Sequence, residues 1–300
     1  MPDLDKFSIN GTAYNLKDGT ARSTADKVTL EADYDRQASI AQFGGRSLAA
    51  LFADEIATHD NVYAWIQART QAANFAGLRI GDYIDVTVAA GANVPAQTVR
   101  YHIAAIDPYY QCADTAKGHH IAFVPSAPVL VTGSKASNST NIKWSDTNSN
   151  NGTASVKCPY LNSKLHGWEI SDYLPALPAE LRNVLMAHRV LLEERYGSGS
   201  LTEDSGWSWQ DLGKIWSLSE MEVYGCQIWG SKGYGAGFDC HFPFFADTAH
   251  RIDSGRAPWW LRSVAGGSAS NVCNVSGYGI AGHSAATDEG VRPRPCFLIG

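Results

Sequence analysis

The amino-acid sequence predicts an α+β fold for this 300-residue chain, on three observations. Apolar residues recur at helical spacing in residues 47–76 and again in 177–196. Between these segments, residues 78–125 alternate apolar and polar side chains as antiparallel strands do. Most of the nine tryptophans lie beyond residue 140 among short apolar runs, which is typical of a loop-rich region whose core is filled by aromatic rings.

Composition and charge exclude several classes of function. The net charge is −6 and Lys and Arg form no run, whereas nucleic-acid binding needs clustered basic residues to neutralise phosphates. No apolar run is long enough to span a bilayer, and the N-terminus lacks the basic start and apolar core of a signal peptide. We therefore expect the protein to stay where it is made, or to leave by lysis or inside an assembly. The six cysteines lack CxxC spacing, so we expect buried reduced thiols.

The first 75 residues are predicted to form a hairpin and then a helical region. Residues 7–16 alternate around Asn10-Gly11, a pair that favours tight hairpin turns. The helical pattern of residues 47–76 is interrupted at Asp60-Asn61. Its near-heptad repeat permits self-association, although packing on its own domain is the simpler interpretation. We place a domain boundary near residue 76.

Three antiparallel strands are predicted next, over residues 78–88, 99–107 and 118–125. A polar loop follows at 132–155, and part of it imitates a calcium-binding EF-hand loop. Lys157 stands where such a loop requires a bidentate glutamate, so the sequence predicts no calcium there.

Residues 177–196 give the clearest helical pattern, with His188 on its apolar face as a satisfied histidine at the edge of the core. A short strand at 215–218 is predicted to lead into a helical turn that begins at Ser219, with Glu222 at the capping-box position. Two carboxylates of this turn are interpreted as cap and surface charges: Glu220 and Glu222.

The C-terminal stretch 255–300 is the centre of the functional interpretation. Two bulky segments, 259–263 and 290–293, are predicted to be buried strands. The residues between them are mostly small or polar and include glycines for hairpin turns. A rigid frame that holds a chemically varied loop surface is typical of binding proteins. Three bulky residues are assigned to the frame: Trp259, Trp260 and Arg262.

Motifs for catalysis and metal binding are missing from the sequence. It contains no Gly-x-Ser-x-Gly elbow, no phosphate-binding P-loop and no HExxH. His119 and His120 are adjacent in a predicted strand, so their rings point to opposite faces. Asp239 and His241 can share a strand face, but two ligands make a weak metal site. We predict no catalytic residue, no cofactor and no metal.

The C-terminal motifs resemble a known family. Residues 260–263 (Trp-Leu-Arg-Ser), 290–293 (Gly-Val-Arg-Pro) and the closing Cys296-Phe297 resemble C-type-lectin-fold proteins of bacteriophages and gut bacteria, in particular the variable proteins of diversity-generating retroelements. The resemblance covers residues 76–300, and residues 9–18 resemble the openings of phage tail and other virion proteins.

This resemblance implies a small twisted antiparallel sheet with flanking helices and long loops on one ligand-binding face. Retroelement mutagenesis of Asn codons cannot produce Lys, Gln, Glu, Trp or Met, and residues 264–288 contain none of these five. The fold also includes formylglycine-generating enzymes, which need a close cysteine pair, whereas Cys273 and Cys296 are far apart in sequence. Calcium-dependent sugar binding is not supported, because Trp144-Ser145-Asp146 departs from the Trp-Asn-Asp motif.

The resemblance implies a virion adhesin, such as a tail-fibre or receptor-binding protein. Residues 1–75 are expected to attach to other virion proteins or to oligomerise, with a homotrimer as one arrangement, and residues 76–300 are expected to form the binding domain. The partner is a host cell-surface protein or glycan, without nucleic acid or membrane insertion. Expected contact residues are Ser268, Ser270, Asn271, Asn274, Ser276, Tyr278, His283, Ser284 and Asp288. The alternatives are an oxidoreductase on the same fold and a structural capsid or tail decoration protein.

Overall fold

The computed structural model describes the strands at 6–9 and 12–15, and residues 45–197, 199–231 and 240–300. The chain divides into two compact units, Met1–Gly44 and Gly45–Gly300. In the first unit, strands β1 (Lys6–Ile9) and β2 (Thr12–Asn15) pair antiparallel, with Ile9 opposite Thr12. The predicted hairpin strands are confirmed, and the predicted turn at residues 10 and 11 lies outside the described residues.

The second unit begins at Gly45, so it includes residues that the sequence assigned to the N-terminal region. Three helices lie before the predicted boundary at residue 76: α1 (Leu48–Leu51), α2 (Ala53–Ile56) and α3 (Val62–Gln71). The boundary moves because Leu48, Trp65 and Ile66 are buried in the same core as the strands that follow. The predicted interruption is confirmed, since the Asn61 side chain caps α3 by accepting hydrogen bonds from two backbone N–H groups.

The remaining helices are short. They are α4 (Lys164–Trp168), a π-helical turn (Glu169–Tyr173), α5 (Leu174–Ala176), α6 (Ala179–Val184) and α7 (Glu220–Tyr224). Single 3₁₀ turns occupy Gly133–Lys135, Tyr160–Asn162, Pro243–Ala246 and Thr248–Arg251. No helix in the described ranges has the length and hydropathy of a membrane span.

An antiparallel sheet forms the centre of the second unit. Its strands are β3 (Tyr83–Val88), β4 (Gln97–Ile106), β5 (Ile121–Pro125), β13 (Pro295–Ile299) and β6 (Leu185–Met186), in that spatial order. A short strand, β9 (Trp216–Ser217), pairs with the start of β13. The three strands predicted between residues 78 and 125 are confirmed. Every residue of β5 and β13 is buried, because both faces of these neighbouring strands are covered.

Two smaller antiparallel sheets complete the unit. One pairs β7 (Arg189–Glu194) with β8 (Gly206–Asp211). The other contains β10 (Trp259–Val264), β11 (Asn271–Val275) and β12 (Ala281–Ala285). The α+β class is therefore correct.

The predicted helix at 177–196 is wrong beyond Val184. The chain becomes extended there because β6 pairs with β13 and β7 pairs with β8, which supplies the backbone hydrogen bonds that a helix would otherwise provide. Val190 and Leu192 are buried on one face of β7, so their spacing of two agrees with a strand. A short apolar run fits both helical and strand periodicity, and the non-local partners decide the outcome.

His188 was predicted to be a hydrogen-bonded residue at the edge of the core, and the structure shows a different environment. Its side chain is fully buried, and its ring lies 4.3 Å from the ring centroids of both Tyr109 and Trp216. Neither ring nitrogen has a hydrogen-bond partner among the described residues. Burial lowers the pKa of His188 well below its ordinary value, with a further contribution from the Arg262 guanidinium, so the ring is neutral near pH 7.

The acidic residues of α7 are buried, which corrects their interpretation as surface charges. The predicted capping box is confirmed: the Glu222 N–H donates to Ser219 Oγ, and the Ser219 N–H donates to Glu222 Oε2 at 2.6 Å. The same carboxylate pairs with Arg262, whose Nη1 lies 2.6 Å from Oε2. Tyr109 Oη donates a further hydrogen bond to Glu222. Glu222 therefore joins α7 to β10 inside the core.

Candidate functional site

Strand β10 supplies the aromatic frame of the sheet β10–β11–β12. Trp259 and Trp260 are fully buried, and their indole N–H groups donate to the carbonyls of Arg251 (3.0 Å) and Ile142 (2.8 Å). The backbone of Trp260 also bonds to Arg292 in the second predicted frame segment, at 2.9 Å. The assignment of Trp259 and Trp260 to the frame is confirmed.

Six of the nine predicted contact residues line one shallow surface depression, which also includes Pro258 and Val291. The six are Asn274, Ser276, Tyr278, His283, Ser284 and Asp288. Tyr278 is 68% exposed, and the Arg256 guanidinium lies 5.4 Å from its ring centroid. Gly279, in the turn after Tyr278, has a φ of +76°, which a side-chain-bearing residue rarely adopts. The turn geometry therefore fixes where Tyr278 is presented.

Asn274 is a correction to the predicted contact set. Its side chain is only 5% exposed, and its amide Nδ2 donates to Ser284 Oγ at 2.9 Å across the β11–β12 pair. Because its side chain is buried and its amide donates to Ser284 inside the hairpin, Asn274 orients Ser284 and forms the floor of the depression.

The other three predicted residues, Ser268, Ser270 and Asn271, lie in and beside the turn between β10 and β11. All three are half-buried. Two interior side chains hold this turn through its carbonyl groups. The Asn150 amide donates to Ser268 O (2.9 Å) and Asn271 O (2.6 Å), and the buried Arg195 guanidinium donates to Ser268 O (2.8 Å). Their backbones are therefore fixed, and the Asn271 side chain reaches His283 Nδ1 at 2.8 Å.

The hairpin has two faces, because successive side chains of a strand alternate. His283 lies opposite Cys273 in the β11–β12 register and shares one face with Asn271, whereas Asn274 and Ser284 belong to the other. The predicted contact residues on these two strands therefore belong to both faces of the hairpin.

Trp229 is a surface residue that the sequence interpretation placed among the core-filling tryptophans. Its side chain is 45% exposed, and its ring meets His283 edge to face at a centroid distance of 4.6 Å. Its indole N–H donates to Ala281 O at 3.3 Å. Its neighbour in the loop, Ile228, is also exposed. No apolar periodicity surrounds residue 229, so the sequence pattern carried no signal for its position.

Glu220 fixes the loop that carries Trp229. Its buried carboxylate accepts hydrogen bonds from three consecutive backbone N–H groups, those of Ile228 (3.1 Å), Trp229 (3.1 Å) and Gly230 (2.8 Å). Charged acceptors form stronger hydrogen bonds than neutral ones, especially in a buried setting. Glu220 is therefore a positioning residue for the exposed aromatic ring.

Replacing Glu220 with glutamine is expected to loosen this loop. The variant keeps one oxygen acceptor but loses the charge and places an NH₂ group among three N–H donors, at a cost of about 1–3 kcal/mol. We expect hydrogen exchange to accelerate at the amides of Ile228, Trp229 and Gly230. The matched control is Glu289→Gln, whose exposed carboxylate pairs with Lys143 at 2.9 Å and should leave these amides unchanged. Equal protection in both variants would contradict the role of Glu220.

None of the six cysteines forms a disulfide bond. All six are free thiols. Cys273 lies in β11 and Cys296 in β13, which belong to different sheets, and burial raises the pKa of both thiols well above the ordinary value. The expectation of buried thiols holds for Cys158, Cys273 and Cys296, whereas Cys112 and Cys240 are half-buried and Cys226 is exposed.

The predicted metal-ligand candidates are also dispersed. Within the described ranges, no group of three or more His, Cys, Asp or Glu side chains is arranged to hold a metal ion. His119 pairs with Asp107, at 2.6 Å between Nδ1 and Oδ2, whereas His120 is fully buried against Tyr109. Asp239, the proposed neighbour of His241, lies outside the described residues.

Comparison with known proteins gives one match. A family described as a domain of unknown function (DUF6273) matches residues 132–300, more than half of the chain. Neither the curated proteins nor the solved structures gave a match. The matched range contains the aromatic frame, the β10–β12 sheet and every predicted contact residue. The chain belongs to the DUF6273 family.

Proposed function

We propose that this protein is a ligand-binding protein, and specifically a phage or prophage virion adhesin that binds a host cell-surface protein or glycan. One observation carries the binding proposal: small polar and aromatic side chains are displayed on a hairpin whose backbone is fixed by buried groups. Tyr278 in the turn and His283 on β12 are exposed, whereas the neighbouring strand β11 pairs with the buried Trp259 and Trp260 of β10. Rigid aromatic rings combined with Ser and Asn suit recognition, because Tyr provides contact area at low ordering cost and the small polar groups adapt their hydrogen bonds.

The contact surface of this proposed adhesin includes two adjoining parts. The first is the depression lined by Ser276, Tyr278, Ser284 and Asp288. The second is the face formed by Asn271, His283 and Trp229, with Ile228 next to Trp229 in the chain. The second part places a fixed aromatic anchor next to residues of the variable-looking interval 264–288. Exposed Trp and Tyr side chains are frequent anchors of interfaces.

We also propose that residues 45–300 adopt a variant of the C-type lectin fold. The support is the position of the resembling motifs: residues 260–263 lie in β10, and residues 290–293 run beside its start, where Trp259 and Arg292 form a parallel bridge. The N-terminal residues would then attach the protein to the virion or join it into an oligomer.

The adhesin proposal is tested on phage particles induced from a strain that encodes the chain. Mass spectrometry of purified particles should detect the protein. Fab fragments raised against the β11–β12 hairpin should block adsorption to host cells, whereas fragments that bind around the exposed Tyr110 should not. Particles that carry the protein and adsorb normally in the presence of hairpin-directed fragments would contradict the adhesin and favour the decoration protein.

The oxidoreductase alternative has its own test. Thiol-dependent turnover or copper binding that Cys273→Ser abolishes would support catalysis on this fold. We expect neither, because Cys273 is fully buried and its raised pKa keeps it as a thiol.

A further inference from the structure

The hairpin tip rests on a separate segment, residues 242–252, which we call the aromatic strap. Gly279 lies so close to the strap that a Cβ atom added to it would be 2.9 Å from Ile252 Cγ1 and 3.3 Å from Arg251 Cβ. The Arg251 guanidinium also lies 4.8 Å from the Tyr224 ring, and Tyr224 Oη donates to Gly279 O at 3.4 Å. Displacement of the strap would therefore remove the support beneath Tyr278.

The strap is anchored by three buried phenylalanines and a stack of aromatic rings. Phe242, Phe244 and Phe245 are almost fully buried. The Phe244 ring stacks with two imidazoles: His250 of the strap at 3.9 Å, and His102 of β4 at 5.1 Å. Both histidines therefore contact the ring that fastens the strap to the main sheet.

Most of the charged groups around the stacked His102, Phe244 and His250 rings are cationic. His102 faces Arg100, Arg294 and His250, and its Nδ1 lies 2.6 Å from Gly81 O. His250 faces Arg294, which donates to the His250 carbonyl at 2.9 Å, and is opposed by the carboxylate of Asp247. Arg294 is itself buried and faces Asp253. Protonation of either imidazole adds positive charge beside a buried guanidinium.

We infer that the aromatic strap is an acid-sensitive support of the hairpin, and that protonation of His102 and His250 releases residues 242–252 from β4 and loosens the tip at 276–280. The protons come from solvent, and no other group is consumed. At neutral pH both rings are uncharged and the stack is closed. In acid the open form is favoured, because water solvates the imidazolium ions better than the buried site does.

The pKa shifts have the sign that this device requires. Burial lowers the pKa of His102 to about 4 and also lowers the pKa of His250. A histidine whose pKa is lower in the closed form than in the open form binds a proton more readily in the open form. The closed form is therefore favoured above the ordinary histidine pKa, and this stabilisation is lost as the pH falls below about 6.5. For His102, the ratio of open to closed strap should rise on the order of 50-fold between pH 7.5 and pH 4.5.

Hydrogen exchange on the full chain tests the inference. Protection factors, corrected for intrinsic rates, are measured at pH 7.5 and 4.5 for peptides from the strap, the tip 276–280 and β13. We expect the strap and the tip to lose protection together at pH 4.5 while β13 stays protected. The double variant His102→Gln/His250→Gln should abolish this selective loss. The control His188→Phe removes a buried base outside the strap and should leave the loss intact.

A second measurement uses only the wild-type protein, so the inference can be tested even if the double variant does not fold. Exchange at the imidazole C2 position of the wild-type protein gives the titration of each histidine, and the pH midpoints of His102 and His250 should coincide with the opening of the strap. Three results would overturn the inference: simultaneous loss of protection in the strap and β13, strap protection that is independent of pH, and a pH midpoint of strap opening that differs from the titration midpoints of His102 and His250.

Discussion

Residues 132–300, the range that matches the family, are expected not to fold alone, whereas residues 45–300 are expected to fold. The matched range contains β13 and β6 but lacks β3, β4 and β5. Strand β13 would then lose its partner β5 and become an exposed edge with a fully apolar face.

The magnitude of the loss decides this prediction. The missing strands bury the apolar side chains Ile84, Val86, Val88, Tyr101, Ile103, Ile121, Phe123 and Val124. Burial of one such side chain contributes about 1.5–3 kcal/mol. The fragment loses the surfaces that these side chains cover, including β13, and the net stability of a whole domain is only about 5–15 kcal/mol. Circular dichroism and thermal denaturation of the two fragments check the prediction, and a cooperative transition in 132–300 would contradict it.

Replacing Arg262 with methionine is expected to destabilise the core strongly. The change leaves the buried Glu222 carboxylate without the guanidinium that lies 2.6 Å away. Removing one partner of a buried ion pair typically costs about 3–5 kcal/mol, because the remaining charge stays desolvated. Urea denaturation should show this loss as a lower free energy of unfolding.

The matched control for Arg262 is Arg100→Met. Arg100 pairs with Asp85 at 2.9 Å, but both side chains are more than 40% exposed, and such pairs contribute about 0–1 kcal/mol. Adding Glu222→Gln to Arg262→Met should recover part of the loss, since the uncompensated charge is removed. A similar cost for Arg262→Met and Arg100→Met would show that the buried pair does not support the core.

The parts of the fold that follow from local patterns were predictable from the sequence. Alternation specified β3 and β4, and the spacing of Ser219 and Glu222 specified the capping box. The frame role of Trp259 and Trp260 followed from bulky residues that flank a small, polar interval.

The parts that depend on distant partners were not predictable. Residues 185–194 fit helical spacing, and only their pairing with β13 and β8 makes them strands. The local sequence around Glu222 is typical of a surface carboxylate. Its burial depends on Arg262, 40 residues further on, which the fold places beside it. The burial of Asn274 and the exposure of Trp229 likewise result from which loops meet at the hairpin.

The same division applies to the candidate site. The turns and the hairpin within the interval 264–288 were predictable, because small polar residues between bulky segments indicate turns. The contribution of Trp229 was not, because Glu220 holds it there through three backbone hydrogen bonds. When a site combines residues of two loops that are distant in sequence, the residue spacing within each loop does not predict their contact.

The central claim is that the hairpin displays interchangeable side chains on a rigid frame, and a display experiment tests it without knowledge of the natural ligand. One library randomises Ser276, Tyr278, Ile280, His283 and Ser284. A control library randomises five exposed positions on the β3–β4 hairpin: Asp85, Thr87, Ala89, Ala96 and Thr98. Both are selected for binding to lysozyme, an unrelated protein. We predict folded binders with a Kd near or below ~1 μM, about −8 kcal/mol, from the first library and none from the second. Unfolded clones from the first library, or binders at equal frequency in both, would contradict the claim.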